Sequence, residues 1–168
     1  MPIPFQDQNT ISSSTVGYLK FLPHTAKSIW LGALFIMNAR GEPVEFTHAS
    51  VRSPNPVLWR IDDLRTCCQE SLCNSIFEVC PVVPDLFLCL AEDVDIRLFD
   101  ERVSLEIAVG RVAHDASGGD ISTEWSMDSA PLSPLDKLYE NICSRGLLLE
   151  PFARAEVGLR EVYSDLLR

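Results

Sequence analysis

Apolar positions along this chain change period several times, and each change marks an element. Val16 to Leu22 is a first strand closed by Pro23, and Ile29 to Asn38 is an almost wholly apolar run suited to a strand buried on both faces. The turn formers Ala39-Arg40-Gly41-Glu42-Pro43 follow, then Val44 to His48 with period-2 alternation. Residues 29–49 therefore predict a β-hairpin. Ser53-Pro54-Asn55-Pro56 offers two overlapping helix starts. Beyond it Val57, Ile61, Leu64, Cys68, Leu72 and Ile76 fall at helical spacing, with Arg60, Asp62, Asp63, Arg65, Gln69 and Glu70 on the polar side. Pro81 and Pro84 end that helix.

Asp85 to Ala91 predicts another buried strand, Ile96 to Phe99 a short strand or helical turn, and Val103 to Val109 a half-exposed strand with clean alternation. Residues 113–131 are rich in turn formers and predict a long loop. Ser133-Pro134 opens a helix stopped at Gly146. A last helix carries Pro151 in its first turn and a narrow seam of Phe152, Ala155, Leu159, Val162 and Leu166. Residues 1–14 are polar and Ser-rich and predict a flexible N-terminal arm, leaving 15–168 as one domain with a C-terminal helical pair at 133–168.

This order predicts an α+β fold: a mostly antiparallel sheet with a central β-hairpin, helices packed on one face, and the C-terminal helical pair. The stretch Leu31-Gly32-Ala33-Leu34-Phe35-Ile36-Met37-Asn38-Ala39-Arg40-Gly41-Glu42-Pro43-Val44-Glu45 is similar to the central hairpin of roadblock, longin and other profilin-like domains. That resemblance covers about a tenth of the chain, lacks the helix that precedes the roadblock hairpin, and implies only a sheet-plus-helix scaffold.

Composition narrows the partners. The 168 residues carry 24 Asp+Glu against 14 Lys+Arg, a net charge of −10. Phosphate backbones are bound mainly by Lys and Arg. The balance therefore predicts no autonomous nucleic-acid binding, no membrane attachment, and a protein partner with a basic or apolar surface. No export signal or membrane-length apolar run is visible, so the six cysteines are expected to be reduced and the protein cytoplasmic.

No motif supplies an obvious reaction. Cys68 and Cys73 have formal zinc-ligand spacing, but on a helix their sulfurs diverge by about 140°. The histidines, His24, His48 and His114, fall in or near turns or strand ends. A Cys–His pair with Cys89 or Cys143 has no local motif behind it. Phosphate-binding glycine loops and a nucleophile elbow are absent from the sequence. The carboxylates Glu92, Asp93, Asp95, Asp100 and Glu101 are expected to be solvated loop ends.

The expectation is thus a non-catalytic protein-interaction or accessory subunit of a larger cytosolic, bacterial complex, of the kind found in stress or phage-defence systems. No catalytic residue, cofactor or metal is assigned. Partner-binding candidates are Trp59, Arg60, Trp125, Met127, Phe152 and Leu159, residue types enriched at interfaces or seams. The alternatives are a small Cys–His hydrolase and a ligand-sensing domain with an apolar pocket.

Overall fold

The computed structural model describes residues 13–95, 97–115, 117, 119–126 and 133–168. Its strands are β1 (Thr15–His24), β2 (Ile29–Asn38), β3 (Pro43–Arg52), β4 (Leu86–Leu90), β5 (Ala108–His114) and β6 (Ile121–Trp125). Its α-helices are α1 (Ile61–Val79), α2 (Ser133–Ser144), α3 (Glu150–Val162) and the short α4 (Ser164–Leu167). The strands form one mixed sheet in the order β3-β2-β1-β4-β5-β6. β1–β2, β2–β3 and β5–β6 pair antiparallel, while β1–β4 and β4–β5 pair parallel. The fold is α+β.

Alternation along β1 and β2 divides the core. Val16, Tyr18, Phe35 and Met37 meet Phe152 and Ala155 of α3 together with Leu138 and Ile142 of α2. Leu19, Phe21, Leu34 and Ile36 meet Leu72, Cys73 and Ile76 of α1. Strands buried on both sides need apolar residues at every position, which is why β2 shows no period of 2. Helices therefore flank both faces of the sheet, where one covered face was expected. Gly110 of β5 is required by this packing: a Cβ there would lie 2.8–2.9 Å from Thr123, Leu88 and Trp125.

The expected hairpin is present as β2–β3, with Gly41 at φ 84° in its turn. Other expectations are corrected. The helix starts at Ile61, after a separate 3-10 turn at Pro56–Leu58, so Val57 and Ile61 are 84% and 79% exposed. Gln69, assigned to the polar side, is 1% exposed. The strand expected at 103–109 begins at Ala108. Val103, Leu105 and Ile107 alternate because they drop into the α1-side core from a loop, without a ladder. Within the loop expected at 113–131, Ile121–Trp125 forms β6 and pairs with β5. Most of the N-terminal arm, residues 1–12, lies outside the described residues.

Candidate functional site

Chain direction reverses around β1. From β1 the chain moves outward on one side through β2 and β3, then returns through α1 to β4 on the other side. Where parallel strands part in this way, a crevice opens beyond their carboxyl ends, and ligands bind there in open α/β sheets. The end of β1, the loop after β4 and the end of β5 converge at this point, with α1 above and α3 below.

Two clefts open here, of about 370 Å³ and 440 Å³. The first is walled by Phe21 and Trp30 of the sheet and Leu64 of α1, with Arg65, Gln69 and Asp93 as polar members. The second is lined by Lys20, His114, Phe152 and Glu156. Glu92 borders both.

The polar groups are tied together. Lys20 Nζ lies 2.9 Å from Asp93 Oδ2 and 3.8 Å from Glu156 Oε2. The Lys20 and Asp93 side chains are only 11% and 21% exposed. Burial pushes the Asp93 carboxyl above its ordinary range, even though the Lys20 ammonium pulls it down. Gln69 Nε2 donates to the Asp93 carbonyl at 2.6 Å. Its Oε1 is buried and has no hydrogen-bond partner among the described residues.

An exposed apolar turn stands at the rim of the first cleft. Asn55 Oδ1 accepts from the Val57 N–H at 3.1 Å, and Pro56 fixes the turn's start. Pro56 and Ile61 both line the cleft. Between them Val57 and Leu58 are 84% and 87% exposed.

The structure separates the sequence candidates. Trp59 and Arg60 lie on this exposed turn. Trp125 is half-buried, its ring edge-to-face with Tyr139 at 5.3 Å. Phe152 and Leu159 are 3% and 0% exposed, within the core. Met127 lies outside the described residues. All six cysteines are free. Cys89 is buried, and burial pushes its thiol up to about 12, which makes it a poor nucleophile. Sequence reasoning missed Lys20, Gln69 and the role of Asp93. The signal that could have found them was a lysine inside an otherwise apolar strand and a glutamine beside a helix's buried stripe.

No family model matches the chain, and no curated protein matches it by sequence. It is similar in structure to Endonuclease V from Streptomyces avermitilis, with 11% identity and a TM-score of 0.47 over 70% of this chain and 57% of that one. It is similar to Ciona intestinalis Endonuclease V, solved with a 24mer DNA containing an inosine followed by a ribo-adenosine, with 11% identity and a TM-score of 0.43 over 79% and 56%. The Marinitoga piezophila Argonaute, solved with guide RNA and target DNA, gives 8% identity and a TM-score of 0.40 over 80% and 26%. The chain spans little more than half the length of these endonucleases.

These matches overturn the expectation of a non-catalytic accessory subunit with a protein partner and no nucleic-acid binding: the similar structures are endonucleases and an Argonaute bound to guide and target. That expectation is withdrawn. Its physical weakness was its use of net charge, which describes the whole surface and is silent about a cleft assembled from distant residues. Among the described residues, no helix is long and apolar enough to cross a membrane.

Proposed function

We propose that the chain is a nucleic-acid-processing domain that takes one unpaired base into the cleft between β1, β2 and α1. The observation that carries this reading is the exposed turn at the cleft's rim. Val57 and Leu58 put two apolar side chains almost wholly in water on a proline-started, capped turn. Apolar wedges of this kind enter between base steps and unstack them. A displaced base then needs a pocket with aromatic or apolar walls and a polar end. Phe21, Trp30 and Leu64 supply the walls, and Gln69 and Asp93 the polar end.

Net charge shapes the mode of binding. At −10 the domain gains little from the phosphate backbone, so contact with the base must carry the affinity. Recognition of this kind depends weakly on salt. Asp93, which lines the first cleft and is held by Lys20 at 2.9 Å, is the carboxyl this reading assigns to the processing step. Six free thiols suit a reducing compartment, and the reading places the domain in the cytoplasm.

The test is binding of short fluorescent duplexes, one fully paired and others with a single unpaired base, across a range of salt. Tighter binding to the unpaired set with a shallow salt slope is expected. Product analysis on the same duplexes, with Asp93→Asn as the comparison, reads the processing step. Equal affinity for paired and unpaired duplexes, or none for either, overturns the reading.

A further inference from the structure

We infer that the exposed turn and the first cleft together form a self-complementary face on which a second copy of this chain docks. Val57, Leu58 and Ile61 are 84%, 87% and 79% exposed, and Trp59 between them is 41% exposed. Large apolar side chains crowded on one exposed stretch mark a contact surface. A two-fold contact uses the same patch on both partners, so that patch must carry both halves of the fit. This one does. The turn projects its apolar side chains into water, and the cleft of about 370 Å³ opens beside it, bordered by Pro56 and Ile61. The walls of the cleft, Phe21, Trp30 and Leu64, are apolar like the turn. A two-fold axis on this face sets each turn against the other copy's cleft.

The charges around the turn are self-complementary too. Arg60 and Arg65 frame Asp62 and Asp63 at the start of α1. Among the described residues none of these four closes a salt bridge, whereas on α3 Arg154 with Glu150 and Arg160 with Glu156 each close one at 2.8 Å. Arg65 and Glu92 both border the cleft, and Glu92 is likewise without a salt bridge among the described residues. The whole chain carries −10, so most pairings of two copies set like charge against like. On this face two guanidinium groups and neighbouring carboxylates are left open together. A two-fold contact brings the arginines of one copy to the carboxylates of the other, around an apolar centre. An apolar centre with a polar rim is the usual anatomy of an interface.

One turn and one cleft make a small contact beside the about 800 Å² per partner of a standard stable interface, so the dimer is weak. At low micromolar concentration the chain is a monomer with turn and cleft free. At several hundred micromolar two copies cover each other's turn and cleft. The inference stands on the exposed face and does not need the base-receiving reading. Where both hold, a duplex with an unpaired base and a second copy compete for the same surface.

Sedimentation velocity of the full chain, from low micromolar to several hundred micromolar, reads the dimer directly. A shift from monomer to dimer across that range is expected. The variant Val57→Ser, Leu58→Ser removes the apolar centre and should weaken the dimer at least about tenfold. Two charge variants test the two-fold arrangement: Arg60→Glu with Arg65→Glu, and Asp62→Lys with Asp63→Lys. Each alone should be monomeric at concentrations where the unaltered chain dimerises, and an equal mixture of the two should dimerise again. Adding Val57→Ser and Leu58→Ser to both should abolish that recovery. Circular dichroism confirms that each variant keeps its fold, and these exposed positions bury almost nothing. A chain that stays monomeric throughout overturns the inference. So does a dimer untouched by the Val57 and Leu58 substitutions, or a charge-variant mixture that stays monomeric. In a final arm, a 12-mer duplex with one unpaired base is added to the dimer. Dissociation of the dimer as the duplex binds supports one shared face, and a duplex bound by the intact dimer overturns it. A duplex that does not bind overturns the base-receiving reading and leaves the dimer standing on the other measurements.

Discussion

Lys20 Nζ stands 2.9 Å from Asp93 Oδ2, joining the middle of the sheet to the loop that follows β4 across 73 residues of sequence. Both side chains are mostly buried, so the attraction is poorly screened and each charge depends on the other. Lys20→Met fills the space of the lysine stem and strands the carboxylate. The expected loss is about 2–3 kcal/mol of stability, read as a lower urea midpoint with an unchanged slope. A midpoint equal to wild type would mean that water already reaches the pair.

Asp93 also sets a pH dependence. Burial raises its pKa in the folded chain above its unfolded value, near about 3.9. The folded state therefore holds that proton more tightly than the unfolded state. Its contribution to stability is fully present below the unfolded pKa and is lost as pH rises through the raised folded pKa. Subtracting the stability of Asp93→Asn from that of wild type isolates this effect. The difference should be greatest below about pH 4 and decline as pH rises above it. A difference that grows with pH would show the ion pair outweighing desolvation.

Local elements of the fold were legible, and distant associations were not. The β2–β3 hairpin could be read because Gly41 and its flanking turn formers interrupt two strand-length runs within about 20 residues. The buried stripe of Leu64, Cys68, Leu72 and Ile76 repeats at helical spacing and is buried as expected. Two expectations failed for one shared reason: periodicity reports burial and not hydrogen bonding. Leu105 and Ile107 pack inward from a loop and mimic a strand. Gln69 is polar by type and buried by position, because the Asp93 carbonyl satisfies its amide nitrogen. The site itself depends on which strands lie beside β1, and nothing local in the sequence encodes that order.

Gly110 offers a test of the packing between β4, β5 and β6. A methyl group added there would lie 2.8–2.9 Å from Thr123, Leu88 and Trp125 on three sides. All three contacts are to side-chain atoms that must shift to admit it, so Gly110→Ala should cost about 1–3 kcal/mol. Thermal melting measures it. An unchanged melting temperature would place β6 farther from β5 than its register with Gly110↔Trp125 requires.

Helix α3 should prove indispensable to the fold. Phe152, Ala155 and Leu159 are 3%, 1% and 0% exposed and cover the face of β1 and β2 that carries Tyr18, Phe35 and Ala33. Tyr18 donates to the Leu147 carbonyl at 2.6 Å, just before that helix. Deleting residues 150–168 uncovers this whole apolar face. The truncated chain is expected to lose its cooperative melt and its dispersed methyl resonances. A truncation that still melts cooperatively would show the sheet and α1 to be stable without α3.

The exposed turn separates stability from function most cleanly. Val57 and Leu58 are 84% and 87% exposed, so they bury almost nothing and contribute little to folding. Substitutions at such positions usually change stability by no more than about 0.5 kcal/mol. The double variant Val57→Ser, Leu58→Ser should therefore melt like wild type. Pro56 and Asn55, which hold the turn's shape, are untouched. If the two apolar side chains unstack a duplex, the variant loses the work they do at the base step and must open the helix unaided. Affinity for a duplex with one unpaired base should then fall by about tenfold or more, while affinity for the same base in a flexible single strand, where nothing needs unstacking, should fall far less. That contrast is the deciding measurement. An equal loss on both substrates would make the turn a general contact surface, and no loss on either would leave the cleft without a wedge.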